Sequence, residues 1–194
     1  MPDKYGSFSE LARHEIDGTD YRVRLLERPQ SRVAVVAPHG GRIEVGTSEL
    51  AEHIAGAEHS FFSFEGLKAY GGNRDLHVTS HRFDHPACLA LLARSHIALT
   101  VHGCLGEASI YLGGRDTALT ERLAQRLRVA GFRVHTDGHR YPGRAPLNVC
   151  NRTARQCGAQ LEFTLDLRTS QARWPLALAV RGALADHANS LGFA

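Results

Sequence analysis

Short apolar runs recur along this 194-residue chain, and between them the apolar residues follow a helical spacing. The runs 32–38 and 96–103 are almost continuously apolar, which is typical of strands covered on both faces. The run 159–168 alternates apolar and polar residues, as a strand with one polar face does. Runs rich in β-branched and apolar residues predict strands over 21–27, 32–38, 60–66, 76–80, 96–103, 132–137 and 159–168.

Four segments between or after these runs carry helix signals, and the clearest is 116–131. Its leucines recur every four residues, Asp116 stands at the N-cap position and Gly131 marks the end. Strands that alternate with helices predict an α/β fold, with a mixed β-sheet flanked by helices in a single domain over 1–194. The predicted helices cover 48–56, opened by Ser48; 84–95, opened by Asp84; 116–131; and Pro175 to about Leu191.

Composition excludes some classes of protein. No run of about 18 apolar residues is present, which argues against a membrane-spanning helix and a membrane partner. The polar N-terminus lacks the apolar core of a secretory signal. We therefore expect synthesis in the cytoplasm without a signal peptide, with lysis as the route of release.

The charge pattern bears on partners. The net charge of +3 is small and the basic residues are spread along the chain, which disfavours nucleic acid as a partner. Lysine occurs only at Lys4 and Lys68, so arginine dominates. Guanidinium groups bind carboxylates in bidentate fashion, and an anionic partner is therefore permitted. The sequence leaves the oligomeric state open and favours a monomer.

The most informative segment is VAVVAPHGGRIEVG, in which polar side chains follow a buried strand. His39 is the first of them, Gly40 and Gly41 permit a sharp turn, and Glu44 follows before the next helix. Both side chains are expected to face one point at the carboxyl end of the strand, where the sites of α/β folds gather. A structural histidine beside a Gly-Gly turn is the alternative interpretation.

A second buried strand ends in the same way. The segment SHIALTVHG stays apolar until His102, which Gly103 follows. His39, Glu44 and His102 together form a His-Glu-His set, a common ligand set of catalytic zinc that leaves a fourth position for water. We therefore predict Zn²⁺ as the cofactor. For His102 alone, a hydrogen-bonded core histidine is the alternative.

A zinc hydrolase also needs a carboxylate that moves protons, and the run 159–168 offers Glu162. Leu161, Phe163 and the two following leucines fall on one predicted face, and Glu162 falls on the other. Glu162 is the best candidate for the catalytic base. A solvated carboxylate on a half-exposed strand fits the same pattern equally well.

Substrate carboxylates would require cations or amide donors near the metal. Arg42 lies between the first two predicted ligands, and Asn73 and Arg74 follow a second Gly-Gly pair. These three residues are the predicted substrate contacts, although each also fits a solvated surface position. The histidine-rich segment 77–85 has no assigned role, and a recognition surface and a plain surface stay equally open.

Other nucleophiles find little support. No serine lies in a G-x-S-x-G context, and the four cysteines form no C-x-x-C pair. Cys104 stands two residues beyond His102, where a Cys-His pair is conceivable. However, the sequence around it shows no electropositive setting for a thiolate.

Six segments, taken in order, resemble the poly-γ-glutamate hydrolases, small bacterial and phage proteins formerly described as phage-related replication proteins. They are APHGGRIEVGTSELA, SFFSFEGLKA, NRDLHVTSHRFDHP, ALTVHGC, YLGGRD and GAQLEFT, and the resemblance covers roughly residues 5–190. It implies a compact zinc-carboxypeptidase-like (phosphorylase/hydrolase-like) domain, with His39, Glu44 and His102 as zinc ligands and Glu162 as general base. Four residues separate the first His and Glu here, as in this family, whereas zinc carboxypeptidases have two.

The resemblance implies that the chain hydrolyses the γ-glutamyl amide bonds of anionic poly-γ-glutamate, a capsule polymer. By analogy with carboxypeptidases, Asn73 and Arg74 would bind a substrate carboxylate. A zinc-dependent cell-wall amidase or a related carboxypeptidase-like deacylase is the first alternative, because a cell-wall amidase motif also places H-G-G after a strand. A phage nucleic-acid-binding protein is the second. The sequence leaves open whether cleavage is internal or terminal, and which glutamate stereoisomer is accepted.

Overall fold

A mixed sheet runs through the middle of the computed structural model, which describes residues 2–193. Met1 and Ala194, the ends of the predicted 1–194 domain, lie outside the described residues. Within 2–193 the sheet has seven strands in the order β1-β3-β2-β4-β7-β5-β6. The strands are β1 Tyr21–Leu26, β2 Val33–Gly41, β3 Ser60–Gly66, β4 Ile97–Cys104, β5 Ile110–Gly114, β6 Val134–His135 and β7 Ala159–Thr164.

Helices cover both faces of this sheet. They are α1 Phe8–Leu11, α2 Thr47–Ala55, α3 Pro86–Arg94, α4 Thr117–Val129, α5 Leu165–Thr169 and α6 Arg173–Ser190, with 3₁₀ turns at Asn73–Leu76 and Val149–Asn151. Among the described residues, no helix combines the length and the apolar character needed to cross a membrane. The predicted α/β fold with a mixed, helix-flanked sheet is confirmed.

Strand alternation divides the core into two layers. Val33 and Val35 of β2 pack with the buried side chains of α2, α4 and α6. Ala34 and Val36 point to the opposite face and pack with α1, α3 and two phenylalanines of β3, Phe62 and Phe64. Both faces of β2 are covered, and this explains why its sequence is continuously apolar.

The strand directions bring the candidate site residues to one edge of the sheet. Strands β3, β2, β4 and β7 run parallel to one another, whereas β1 and β5 pair antiparallel at the two sides. Strand β7 therefore lies directly beside β4, and β4 lies beside β2. The carboxyl ends of the three neighbours meet at one edge, which is where α/β folds place their sites.

The prediction of a strand over 76–80 is wrong. The chain there forms a 3₁₀ turn at Asn73–Leu76 and then an irregular extended segment. Its backbone binds side chains in place of a neighbouring strand: Thr79 N–H donates to Asp3 Oδ2 at 2.7 Å, and Val78 O accepts from His39 Nε2 at 2.8 Å. The partners are far away in sequence, so the local pattern gave no sign of them.

Other elements also differ from the sequence prediction. The strand predicted over 159–168 ends at Thr164, and its last part is helix α5. Strand β5 was missed because two of its five residues are glycine, which sequence patterns associate with turns. Helix α3 begins at Pro86, because Asp84 instead accepts hydrogen bonds from the backbone and hydroxyl of Ser9.

We expect Gly40→Ala to lower the free energy of unfolding by about 1–3 kcal/mol, the usual effect of overpacking. A methyl group on Gly40 would overlap the hydroxyl oxygens of Ser48 and Ser63, which are buried and bonded to each other. Urea unfolding measures the change. Gly182→Ala in α6 is the matched control, since its methyl group would meet Arg126 at 3.6 Å, an ordinary contact. Equal stability of the two variants would contradict the expectation.

Candidate metal centre and cleft

Three candidate residues lie on adjacent strands at the carboxyl edge of the sheet. His39 lies near the end of β2, His102 lies on β4 and Glu162 lies on β7. His102 and Glu162 are direct partners in the β4–β7 register, so both side chains leave the same face. All three line a cleft of about 870 Å³.

The turn after β2 folds Glu44 back towards His39. Glu44 N–H donates to His39 O at 3.0 Å, and Ile43 N–H donates to Gly40 O at 3.2 Å. Gly41 has φ +60°, and a Cβ atom there would meet Gly66 O of β3 at 2.7 Å. A glycine is therefore required at this point, both for the left-handed backbone and for the close approach of β3.

Three ligand atoms converge inside this turn. His39 Nδ1 lies 3.2 Å from Glu44 Oε1 and 3.2 Å from His102 Nδ1, and His102 Nδ1 lies 4.0 Å from Glu44 Oε2. His39 Nε2 is hydrogen-bonded to Val78 O, so the ring proton belongs on Nε2 and the Nδ1 lone pair faces the other two groups. Acceptors that face one another need a positive charge between them, which either a second ring proton on His39 or a metal ion can supply. Tetrahedral zinc places its nitrogen ligands about 3.3 Å apart, which fits the two imidazoles.

Burial and charge set the protonation of these groups. Burial opposes ionisation of Glu44, but the neighbouring His39 lowers the pKa of its carboxyl to about 2. Burial lowers the pKa of His102 to about 3. For His39, burial acts against protonation, and the charge of Glu44 outweighs it and raises the pKa. A carboxylate and a neutral imidazole are the forms that bind metal, and binding would displace the His39 proton.

His77 adds a fourth potential donor that sequence reasoning left without a role. Its Nδ1 donates to Asp3 Oδ1 at 2.7 Å, its ring stacks on His39 at 4.0 Å, and its Nε2 lies 3.8 Å from Glu44 Oε1. Ligand atoms of His39, Glu44 and His77 lie within 4.8 Å of one another. The hydrogen bond that orients this imidazole comes from Asp3, 74 residues away in the chain, so no local sequence signal existed.

Glu162 faces the same space from β7 and is only 8% exposed. Burial, together with the negative charge of Glu44, raises the pKa of its carboxyl well above the ordinary 4.5. Gln160 Nε2 donates to Glu162 Oε1 at 3.0 Å and holds the side chain. A carboxyl group with a raised pKa beside a candidate metal centre is suited to accept and release a proton.

The three predicted substrate contacts lie in different places. Arg74 lines the cleft. The amide of Asn73 instead closes a turn, accepting from Lys68 N–H at 3.1 Å and donating to Lys68 O at 2.7 Å. Arg42 is oriented towards the same carbonyl, with Nη1 3.2 Å from Lys68 O. The structure thus brings Arg74 to the cleft, and neither Asn73 nor Arg42 is part of its lining.

Three arginines that the sequence did not single out also line the cleft: Arg140, Arg144 and Arg168. With Arg74 they give the cleft four guanidinium groups opposite the two carboxylates Glu44 and Glu162. They come from separate segments of the chain, so only the fold collects them. The cleft is therefore suited to an anionic ligand.

The thiol of Cys104 is not a nucleophile in this setting. Burial and the nearby charge of Glu162 raise its pKa to about 12. A thiol in such surroundings stays protonated at neutral pH, which agrees with the sequence-based argument against a Cys-His pair.

The fold and the cleft define an α/β protein with a buried His-Glu cluster at the carboxyl edge of its sheet. The chain belongs to the poly-γ-glutamate hydrolase family, whose model matches residues 5–172. It is 37% identical to UPF0714 protein YndL of Bacillus subtilis (strain 168) over 172 residues, 87% of this chain and 66% of that protein. A second relative, the SPbeta prophage-derived UPF0714 protein YoqZ of the same strain, is 34% identical over 86% of this chain and 60% of its own length. The chain thus spans less than two thirds of these two curated relatives.

Two solved structures are similar over nearly their whole length. A bacteriophage poly-γ-glutamate hydrolase matches with a TM-score of 0.91 and 28% identity, over 97% of this chain and 99% of that one. A zinc-free apo form of YndL matches with a TM-score of 0.88 and 30% identity, over 96% and 99%. The resemblance inferred from the six sequence segments is confirmed.

We expect Glu162→Gln to stabilise the metal-free protein at neutral pH. Because the folded-state pKa of Glu162 is raised, its ionisation opposes folding, and the effect grows as pH rises above the ordinary 4.5. Below pH 4.5 the carboxyl is protonated in both states, and the difference between the variant and the parent should vanish.

Urea unfolding of the chelator-treated proteins between pH 4 and pH 8 measures this difference. Glu107→Gln, at an exposed carboxylate, is the matched control and should show no such trend. A stability difference for Glu162→Gln that stays constant over the pH range would contradict the assignment of a raised pKa.

Proposed function

We propose that this chain is a zinc-dependent hydrolase that cleaves the γ-glutamyl amide bonds of poly-γ-glutamate. The observation that carries the proposal is the convergence of His39 Nδ1, His102 Nδ1 and the Glu44 carboxylate, with Glu162 beside them on the next strand. Family membership and the existence of a zinc-free form of YndL, which is similar in sequence and structure, support the choice of reaction and metal.

The residues divide the chemistry between them. His39, Glu44 and His102 would hold the zinc ion, which supplies the Lewis acidity that activates water and polarises the scissile carbonyl. Glu162 accepts the proton of the attacking water and delivers it to the leaving nitrogen as the C–N bond breaks. The products are a new γ-carboxyl group and a free amine.

The arginines of the cleft support the choice of an anionic substrate. Poly-γ-glutamate carries one free carboxylate per residue, and Arg74, Arg140, Arg144 and Arg168 line the cleft that leads to the candidate metal centre. Guanidinium groups bind carboxylates strongly and with defined geometry.

We expect His39→Ala and His102→Ala to abolish stoichiometric zinc binding, since removing one of three ligands leaves the site incomplete. Elemental analysis after gel filtration in zinc-containing buffer measures the metal content. His14→Ala, at an exposed histidine that stacks on Tyr5 and is not part of the cleft lining, is the matched control. One zinc per chain retained in both ligand variants would overturn the assignment of the ligands.

We expect the zinc-loaded protein to shorten poly-γ-glutamate, with activity lost to a chelator and restored by zinc. Glu162→Gln should keep its zinc and lose roughly 10²- to 10⁴-fold in turnover, the usual contribution of acid–base catalysis. Size-exclusion chromatography of the polymer and titration of released amines measure the reaction.

Two further assays, with muropeptides and with DNA, distinguish the competing functions. Digestion of muropeptides with no change in the polymer would favour the cell-wall amidase. Salt-dependent DNA binding that persists in His39→Ala would favour the nucleic-acid-binding protein. Unchanged polymer with fully zinc-loaded protein would contradict the proposed substrate.

A further inference from the structure

Arg168 is a buried arginine in the wall of the cleft with an unpaired donor. It lies on α5 directly after β7 and is only 6% exposed. Its Nη1 donates to Val45 O at 2.8 Å, which anchors the side chain. Its Nε is buried and has no hydrogen-bond partner among residues 2–193. Leaving a buried donor unpaired is unfavourable, so this group is suited to a ligand.

The guanidinium lies against the backbone that holds the candidate metal centre. A Cβ atom on Gly103 would lie 2.6 Å from Arg168 Cζ, Nε and Nη2, so the absence of a side chain at Gly103 makes room for the guanidinium. Gly103 follows His102 in sequence, and its N–H donates to Glu44 Oε2 at 2.7 Å. Arg168 therefore packs against Gly103, the residue that follows the proposed ligand His102 and donates a hydrogen bond to the proposed ligand Glu44.

Charge around Arg168 is negative on two sides. The carboxylates of Glu44 and Glu162 both favour its charged form, against the effect of burial. A substrate carboxylate that enters this space would meet repulsion from Glu44 and Glu162. A fixed cation near them makes its approach more favourable, and Arg168 is the buried one of the four arginines that line the cleft.

The chemistry of the polymer indicates which carboxylate this is. In a γ-linked glutamyl chain, the carbon attached to the scissile nitrogen carries a free carboxylate at every linkage. In an α-linked peptide the same position carries a neutral amide at every internal linkage, and a carboxylate only at the C-terminus. A cation close to the reacting bond would therefore distinguish the two linkages.

We propose that Arg168 binds the free carboxylate on the carbon next to the scissile nitrogen, and thereby admits internal γ-linkages while rejecting internal α-linkages. This inference rests on the proposed function, and it makes Arg168 the residue that selects γ-linkages over α-linkages. It also predicts that the interior of the polymer is cleaved, because each internal linkage offers the group that Arg168 recognises.

The test compares two γ-glutamyl oligomers, in which the carboxylate beside the scissile nitrogen is either free or converted to a methylamide. We expect the zinc-loaded protein to prefer the free acid by roughly 10- to 100-fold in kcat/KM, the range of a charge-assisted hydrogen bond. Arg168→Gln should reduce this preference to a few-fold and retain one zinc per chain. Arg13→Gln, at an exposed arginine whose Nε donates to Ser9 O and which is not part of the cleft lining, should keep the full preference.

A second readout does not depend on turnover. Calorimetry with the metal-stripped proteins and a γ-linked glutamyl trimer should show weaker binding by a similar factor in Arg168→Gln, with Arg168→Lys intermediate. If the zinc-loaded parent cleaves both oligomers equally, the proposal is wrong. If Arg168→Gln instead loses activity on both oligomers equally and keeps its preference, Arg168 only supports the backbone at Val45, and the proposal is also wrong.

The outcomes also separate this inference from the proposed function. A parent protein that cleaves neither oligomer would contradict the proposed reaction, and the calorimetric comparison would still decide the role of Arg168. Equal trimer affinity of the parent and Arg168→Gln would then overturn the inference as well.

Discussion

The site is organised around three acceptor atoms that face one another inside a buried turn. His39 Nδ1, His102 Nδ1 and the Glu44 carboxylate face a common point, and a positive charge there, either a proton on His39 or a bound metal ion, offsets the repulsion between them. The surrounding structure enforces it: Val78 O fixes the ring of His39, and Gly103 N–H fixes Glu44 Oε2. The glycine at Gly41 allows the turn that brings Glu44 back to His39.

Electrostatic balance across the cleft follows from the same arrangement. Glu44 is held ionised at a pKa of about 2, and its charge, together with burial, raises the pKa of Glu162. One carboxylate is thereby suited to permanent ligation and the other to proton transfer. The charges of both carboxylates favour the charged form of Arg168, which in the proposed reaction would reduce the repulsion of an anionic substrate.

The site depends on contacts between distant parts of the chain. Asp3 of the N-terminal segment binds His77 and Thr79, and thereby holds the segment whose Val78 carbonyl orients His39. This coupling explains how a site formed largely on three strands relies on residues outside the sheet. The fold accommodates considerable sequence change around it, since structures at 28–30% identity superpose with TM-scores of 0.88–0.91.

The sequence alone predicted the fold class and the strand ends at which the candidate metal ligands lie. Strands that are buried on both faces have continuous apolar sequences. His39 and His102 were therefore recognisable as the first polar residues at the ends of two such strands. Tertiary structure decided what local patterns do not encode. Leu165 and Leu167 continued the alternation of β7, yet the chain turns into α5 after Thr164 and brings Arg168 back over Gly103. The cleft is lined by residues from separate segments of the chain, and no regular sequence spacing relates them.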